Sequence, residues 1–189
     1  PKNIFVYEVY KSLALWCRMM NSKEGKNKSR EEEKKHGEKK SEAFKYYELA
    51  KDICSNKYGF NHITYADIHL KKAEFYLELK EYNNSINHLE EVLKIYEKLF
   101  PIDPVHEDKY AKLMHKNLRY GNVYLILGNI YFFLKDYTKS EDYTKKSEEI
   151  FKDNFGINCI QIIECYYIYG KIKKAKAKEI IQKPNCKDD

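Results

Sequence analysis

The chain matches itself. Displaced by 55 residues, Tyr65–Phe100 falls on Tyr120–Phe155. Leu79-Lys80-Glu81-Tyr82 then lies over Leu134-Lys135-Asp136-Tyr137, Ser85 over Ser140, and Ile95-Tyr96 over Ile150-Phe151. Before the turn, Tyr65 meets Tyr120, Leu70 meets Leu125, Ala73 meets Gly128 and Tyr76 meets Tyr131. Each copy reads as a helix, a short turn and a second helix. A repeated helix–turn–helix unit implies a quasi-linear stack in which each unit mainly buries its neighbours. Such stacks are usually surfaces for other molecules and not sites of chemistry.

The remaining segments fit the same plan. Ile4–Met20 reads as a helix whose best apolar cluster is Leu13, Ala14, Trp16 and Cys17. Residues 21–40 hold no large apolar side chain and cannot bury surface, so they are expected to form a charged insertion, either a solvated loop or a helical extension. Ser41–Tyr58 carries Ala43, Phe44, Tyr47, Leu49, Ala50 and Ile53 at helical spacing, and Gly59 then supplies a left-handed stop. The clearest hairpin is Thr64–Leu79 with Tyr82–Phe100, closed off by Pro101 and Pro104. Tyr58-Gly59 to Phe100-Pro101 is a step of 42 residues, whereas Phe100-Pro101 to Phe155-Gly156 is a step of 55. About 13 residues are therefore added within 101–119, as an insertion or a helix extension. Tyr137–Phe155 and Asn158–Ile181 complete about seven helices, and Gln182–Asp189 reads as a disordered polar tail. Residues 1–181 are expected to form one domain. Nothing reads as a strand.

The net charge of +6 raises nucleic acid as a partner, and its distribution argues against one. Residues 22–41 carry eight Lys/Arg and five Glu, and residues 171–189 carry seven Lys and three Asp/Glu. The excess thus lies in one insertion and one tail, leaving the repeat body near neutral. Only Arg18, Arg30 and Arg119 are arginines, the residue that does most phosphate and base recognition. Five cysteines form no C-x-x-C pair, which points to a reducing, cytoplasmic setting without a disulfide framework. The longest mainly apolar run, Val123–Leu134, is too short to cross a bilayer and contains Asn129, so a membrane is not expected either. The chain opens at Pro1 without an initiator methionine, which suggests a piece of a longer protein.

Leu127-Gly128-Asn129-Ile130-Tyr131, followed by Lys135-Asp136-Tyr137 and Ser140, resembles a tetratricopeptide repeat (TPR). Ala73, Tyr76, Tyr82, Ser85 and Val92 fit the same frame, as do Ala43/Tyr47/Ala50 and Tyr166/Gly170. The physical demand is close helix crossing: Gly, Ala or Ser lets backbones approach while a ring fills the adjoining gap. The 42-residue step and the Tyr58-Gly59-Phe60-Asn61-His62 connection resemble the longer repeats of kinesin light chains. The resemblance implies an all-α, right-handed superhelix of antiparallel helix pairs.

It also implies that the first helix of each pair lines a concave face holding extended or helical peptides. In this sequence that face maps to Leu70, Lys71 and Glu74, then to Asn122, Leu125, Ile126, Asn129, Phe132 and Phe133, and finally to Tyr167, Ile168 and Lys171. Leu125, Ile126, Phe132 and Phe133 would form an apolar wall, covered by the chain itself, by an outside peptide, or by a second copy in a homodimer. A standard Hsp70/Hsp90 carboxylate clamp is not expected, because the matching positions hold Leu70, Glu74, Ile126, Glu164 and Ile168, and the glutamates would repel carboxylates. No Gly-rich phosphate loop, G-x-S-x-G, H-E-x-x-H or paired metal-ligand spacing is present, so catalytic residues, metal and cofactor are all expected to be none. The resulting reading is a non-catalytic protein–protein interaction module or scaffold. Its alternatives are a regulatory or substrate-positioning domain of a larger enzyme, and a binder of acidic surfaces through the Lys-rich segments.

Overall fold

A computed structural model describes residues 30–100 and 118–182, and every regular element among them is an α-helix. The expected helix Ile4–Met20, most of the 101–119 insertion and the end of the polar tail lie outside the described residues. The helices are α1 Arg30–Tyr58, α2 Ile63–Glu78, α3 Tyr82–Leu99, α4 Leu118–Phe133, α5 Tyr137–Phe155 and α6 Ile160–Gln182. They divide into two compact units, α1–α3 and α4–α6. No helix among the described residues is long and apolar enough to cross a membrane. Of the two expectations for the charged insertion, residues 30–40 take the helical one and extend α1. Glu and Lys are good helix formers, and they need no buried face when the rest of the helix is anchored.

In the first unit α1 presents Ala43, Tyr47, Ala50 and Cys54, all buried, to Ile68 and Phe75 of α2. The spacing of four, three and four keeps them on one face. Phe44 flanks this core, its ring centroid 5.1 Å from Phe75 and 4.9 Å from Tyr76. Gly59 ends α1 with φ +78°, as its composition predicts. His62 begins α2, its Nδ1 accepting from the Thr64 amide at 3.2 Å.

The two hairpins share one serine–carbonyl bond and one turn geometry. Ser85 Oγ donates to the Ala73 carbonyl at 2.7 Å, and Ser140 Oγ donates to the Gly128 carbonyl at 2.7 Å. Both turns are closed alike. Lys80 and Lys135 take φ +60° and +63°, and the next amides, of Glu81 and Asp136, reach back to the Tyr76 and Tyr131 carbonyls at 2.9 and 3.0 Å. This 6→1 bond is the Schellman stop, here with lysine where glycine is usual. Tyr76 stacks on His88 in the first hairpin, and Tyr131 stacks on Tyr143 in the second, both at 5.4 Å.

The fillings differ where the helices cross. The first hairpin uses Ala66, Ala73, Leu89 and Val92; at the same places the second uses Gly121, Gly128, Thr144 and Ser147. Ser147 Oγ bonds the Gly121 carbonyl at 2.9 Å, and Thr144 Oγ1 bonds the Ser140 carbonyl at 2.7 Å. A Cβ on Gly128 would stand 2.5 Å from Thr144 Oγ1, and 3.3 Å from the Thr144 amide nitrogen. Gly128→Ala is therefore expected to destabilise the protein by up to about 2 kcal/mol, since an overpacking cost toward the upper end of about 1–3 outweighs a helix-propensity gain of about 1. Thr144→Ala should remove most of that penalty, and a double-mutant cycle in urea reads the coupling. Additive effects of the two changes would mean that the crossing relaxes elsewhere.

The second unit closes with α6, whose Ile162, Cys165, Ile168 and Ile172 are buried on one face. They lie against the α4–α5 hairpin, whose core includes Val123, Leu127, Ile130, Ile150 and Phe151. Cys165 faces Ser147 at 3.8 Å. Burial pushes the thiols of Cys54 and Cys165 up to about 11, which makes them packing residues and not reactive ones.

Candidate interaction surface

Five of the side chains mapped from the sequence come together on α4 and α6. Lys171 Nζ donates to Asn129 Oδ1 at 2.8 Å. The same ammonium sits 4.7 Å from the ring centroid of Phe132, 5.5 Å from that of Phe133 and 4.9 Å from that of Tyr167. Helical spacing explains the group: Asn129, Phe132 and Phe133 are three and four apart on α4, as Tyr167 and Lys171 are on α6. Burial holds the Lys171 ammonium below its ordinary pKa. The lysine is thus a cation stabilised by ring faces and one amide oxygen, with no anionic partner among the described residues. Phe133 and Tyr167 stay open to solvent, at 47% and 68% exposure.

Other mapped residues are placed differently. Ile168 is only 4% exposed. The sequence assigns it to the lining face, but it packs into the α6 core face, a quarter-turn from Tyr167. Leu125 and Ile126 are half-buried on α4, and Asn122 is exposed. Leu70, Lys71 and Glu74 belong to α2 of the first unit. There Lys71 Nζ bonds both carboxylate oxygens of Glu74, at 2.9 and 3.0 Å, so the two charges satisfy each other.

A polar cluster in the first unit is not signalled by the sequence motifs. His69 Nδ1 and His88 Nδ1 lie 3.0 Å apart, so one ring must donate to the other. Lys72, buried beside them, pairs with Glu48 of α1, which also binds Lys51. Burial, then the charges of Lys72 and Lys51, push the His69 pKa down to about 4, and His88 falls to about 4 for similar reasons. Burial works against the Glu48 carboxylate, but its bonds to Lys51 and Lys72 prevail and bring it down to about 2. Neutral histidines beside a lysine make a poor acid–base pair. No group of three or more His, Cys, Asp or Glu among the described residues could hold a metal ion.

The family comparison decides what the repeated crossing is. The tetratricopeptide repeat family matches residues 66–99 and 121–154, the same two segments related by the 55-residue displacement. Both hairpins are tetratricopeptide repeats. Among solved structures, BtubC (BKLC) from P. vanneervenii shares the fold with a TM-score of 0.53 and 16% identity, over 97% of this chain and 76% of that one. A search of curated proteins found no match. In these TPR hairpins the small residues Ala73 and Gly128 and the serines bonded to their carbonyls are what set the close helix crossing.

Proposed function

We propose that this chain is a non-catalytic protein-interaction scaffold whose second unit holds a partner segment against α4 and α6. The observation that carries the reading is the Lys171 constellation. It is a half-buried cation with no anionic partner among the described residues, bordered by the accessible rings of Phe133 and Tyr167. A ligand would lay an apolar side chain on Phe132 and Phe133, and set an acceptor against Lys171 with Asn129 fixing its register. Covering one such ring contributes about 1.5–3 kcal/mol.

Phe133→Asp is the direct test. Its site is half exposed, so helicity and melting should be unchanged. The purified chain and the variant are to be probed against an array of random peptides. Peptides held by the native chain should bind the variant at least tenfold more weakly, about the affinity that one lost anchor of this kind represents. Equal capture by both proteins would remove α4 and α6 as the binding surface.

A further inference from the structure

The outward face of α6 has a pattern that the repeat does not require. Opposite its buried face runs a seam with steps of three, four, three, four, three and four, from Ile160 to Ile181. The amino-terminal half of the seam is bulky and open, with Ile163 64% exposed between Ile160 and Tyr167. The carboxy-terminal half is slim: Gly170, Lys174 and Ala177, all exposed, before the seam ends on Ile181. A Cβ on Gly170 would meet nothing within 4 Å, unlike the packed glycines of α4. Two residues in seven, alternately three and four apart, are what a second helix needs to lie along the first.

The order of sizes and charges along this seam selects the occupant. Two copies of α6 lying parallel would set bulky residues on bulky ones, leave Gly170 facing Gly170, and press Lys174 against Lys174. Lying antiparallel, each copy sets its bulky half on the slim half of the other, so that Tyr167 covers Gly170 and Ile163 faces the Lys174–Ala177 stretch. Charge follows the same rule. Glu164 flanks the bulky half and Lys171, Lys173 and Lys178 flank the slim half, so only the antiparallel arrangement brings them together. One lysine within an otherwise apolar seam costs stability but fixes register. The helix therefore complements itself, in one orientation.

We propose that the outer face of α6 joins two copies of this chain, helix against helix and antiparallel. The proposal does not rest on the peptide surface, with which it shares Tyr167 and the flanking Lys171. Sedimentation equilibrium on the 189-residue chain, over a concentration series, should show a monomer–dimer equilibrium. Ile163→Glu, a change at an exposed position, should leave circular dichroism unaltered and shift the equilibrium to monomer by at least tenfold in concentration. Phe133→Asp should leave it in place. A chain that stays monomeric at hundreds of micromolar overturns the proposal, as does a dimer indifferent to Ile163→Glu.

Orientation is read separately. A photo-crosslinking amino acid at position 163, in a mixture of isotopically labelled and unlabelled chains, should join the second copy between Gly170 and Ala177. Adducts confined to Ile160–Tyr167 of the second copy would overturn the antiparallel pairing.

Discussion

Lowering the pH from 6.5 to 4 is expected to remove about 3 kcal/mol of folding stability, with His69 as the main source. The folded protein holds this histidine neutral down to about 4. The unfolded chain protonates it near 6.5, so between those values the unfolded state binds the extra proton and gains. The stabilisation is therefore complete above 6.5 and is lost as the pH falls toward 4. His88 faces His69 and moves the same way, so the loss is steeper if both titrate together. The surroundings explain the direction: burial of the ring disfavours the charge most, Lys72 and Lys51 repel it, and Glu91 and Glu48 offset only part of this. Glu48 itself follows in a lower window, since its folded value near 2 lies below the ordinary carboxylate range.

The second hairpin supplies the control. At the places of His69 and His88 it carries Tyr124 and Tyr143, whose rings lie 6.0 Å apart. The double variant His69→Tyr, His88→Tyr should flatten the dependence of urea stability on pH between 6.5 and 4, whatever its stability at neutral pH. A variant as acid-sensitive as the native chain would show that other groups drive the loss.

The same comparison shows how much of the molecule was legible beforehand. Helix positions, turns and the small-residue crossings follow from the 55-residue match, because they depend on spacing alone. Helical spacing was enough to bring Asn129, Phe132, Phe133, Tyr167 and Lys171 together and not enough to place Ile168, which is buried. The extension of α1 before Ser41 has no signature of its own, because a charged run with good propensity reads equally as loop or helix. The left-handed Lys80 and Lys135 carried no signal, since lysine has no preference for positive φ. The His69–His88 pair was hidden for another reason. It is a substitution within a repeated aromatic contact, visible only once the rotation of α2 against α3 is known.

One more departure between the hairpins has a large expected effect. Glu48→Gln should cost about 2 kcal/mol, whereas Lys72→Leu should be close to neutral, although the two residues form a single ion pair. Lys72 is 6% exposed, while the Glu48 side chain is nearly half open to solvent. Removing the carboxylate strands a buried ammonium beside the Phe44 ring, where its desolvation is no longer offset. The figure is held below that of a fully buried pair because solvent reaches the glutamate. Removing the lysine instead leaves Glu48 in water and still bonded to Lys51. It also installs the residue that the second hairpin already uses, since 55 positions on from Lys72 stands buried Leu127. Urea unfolding at pH 7 separates the outcomes. A large loss with Glu48→Gln and little with Lys72→Leu means that the pair exists to satisfy the lysine. Equal losses would mean that the bridge itself holds α1 to α2, and that the hairpin frame tolerates less exchange than its two fillings suggest.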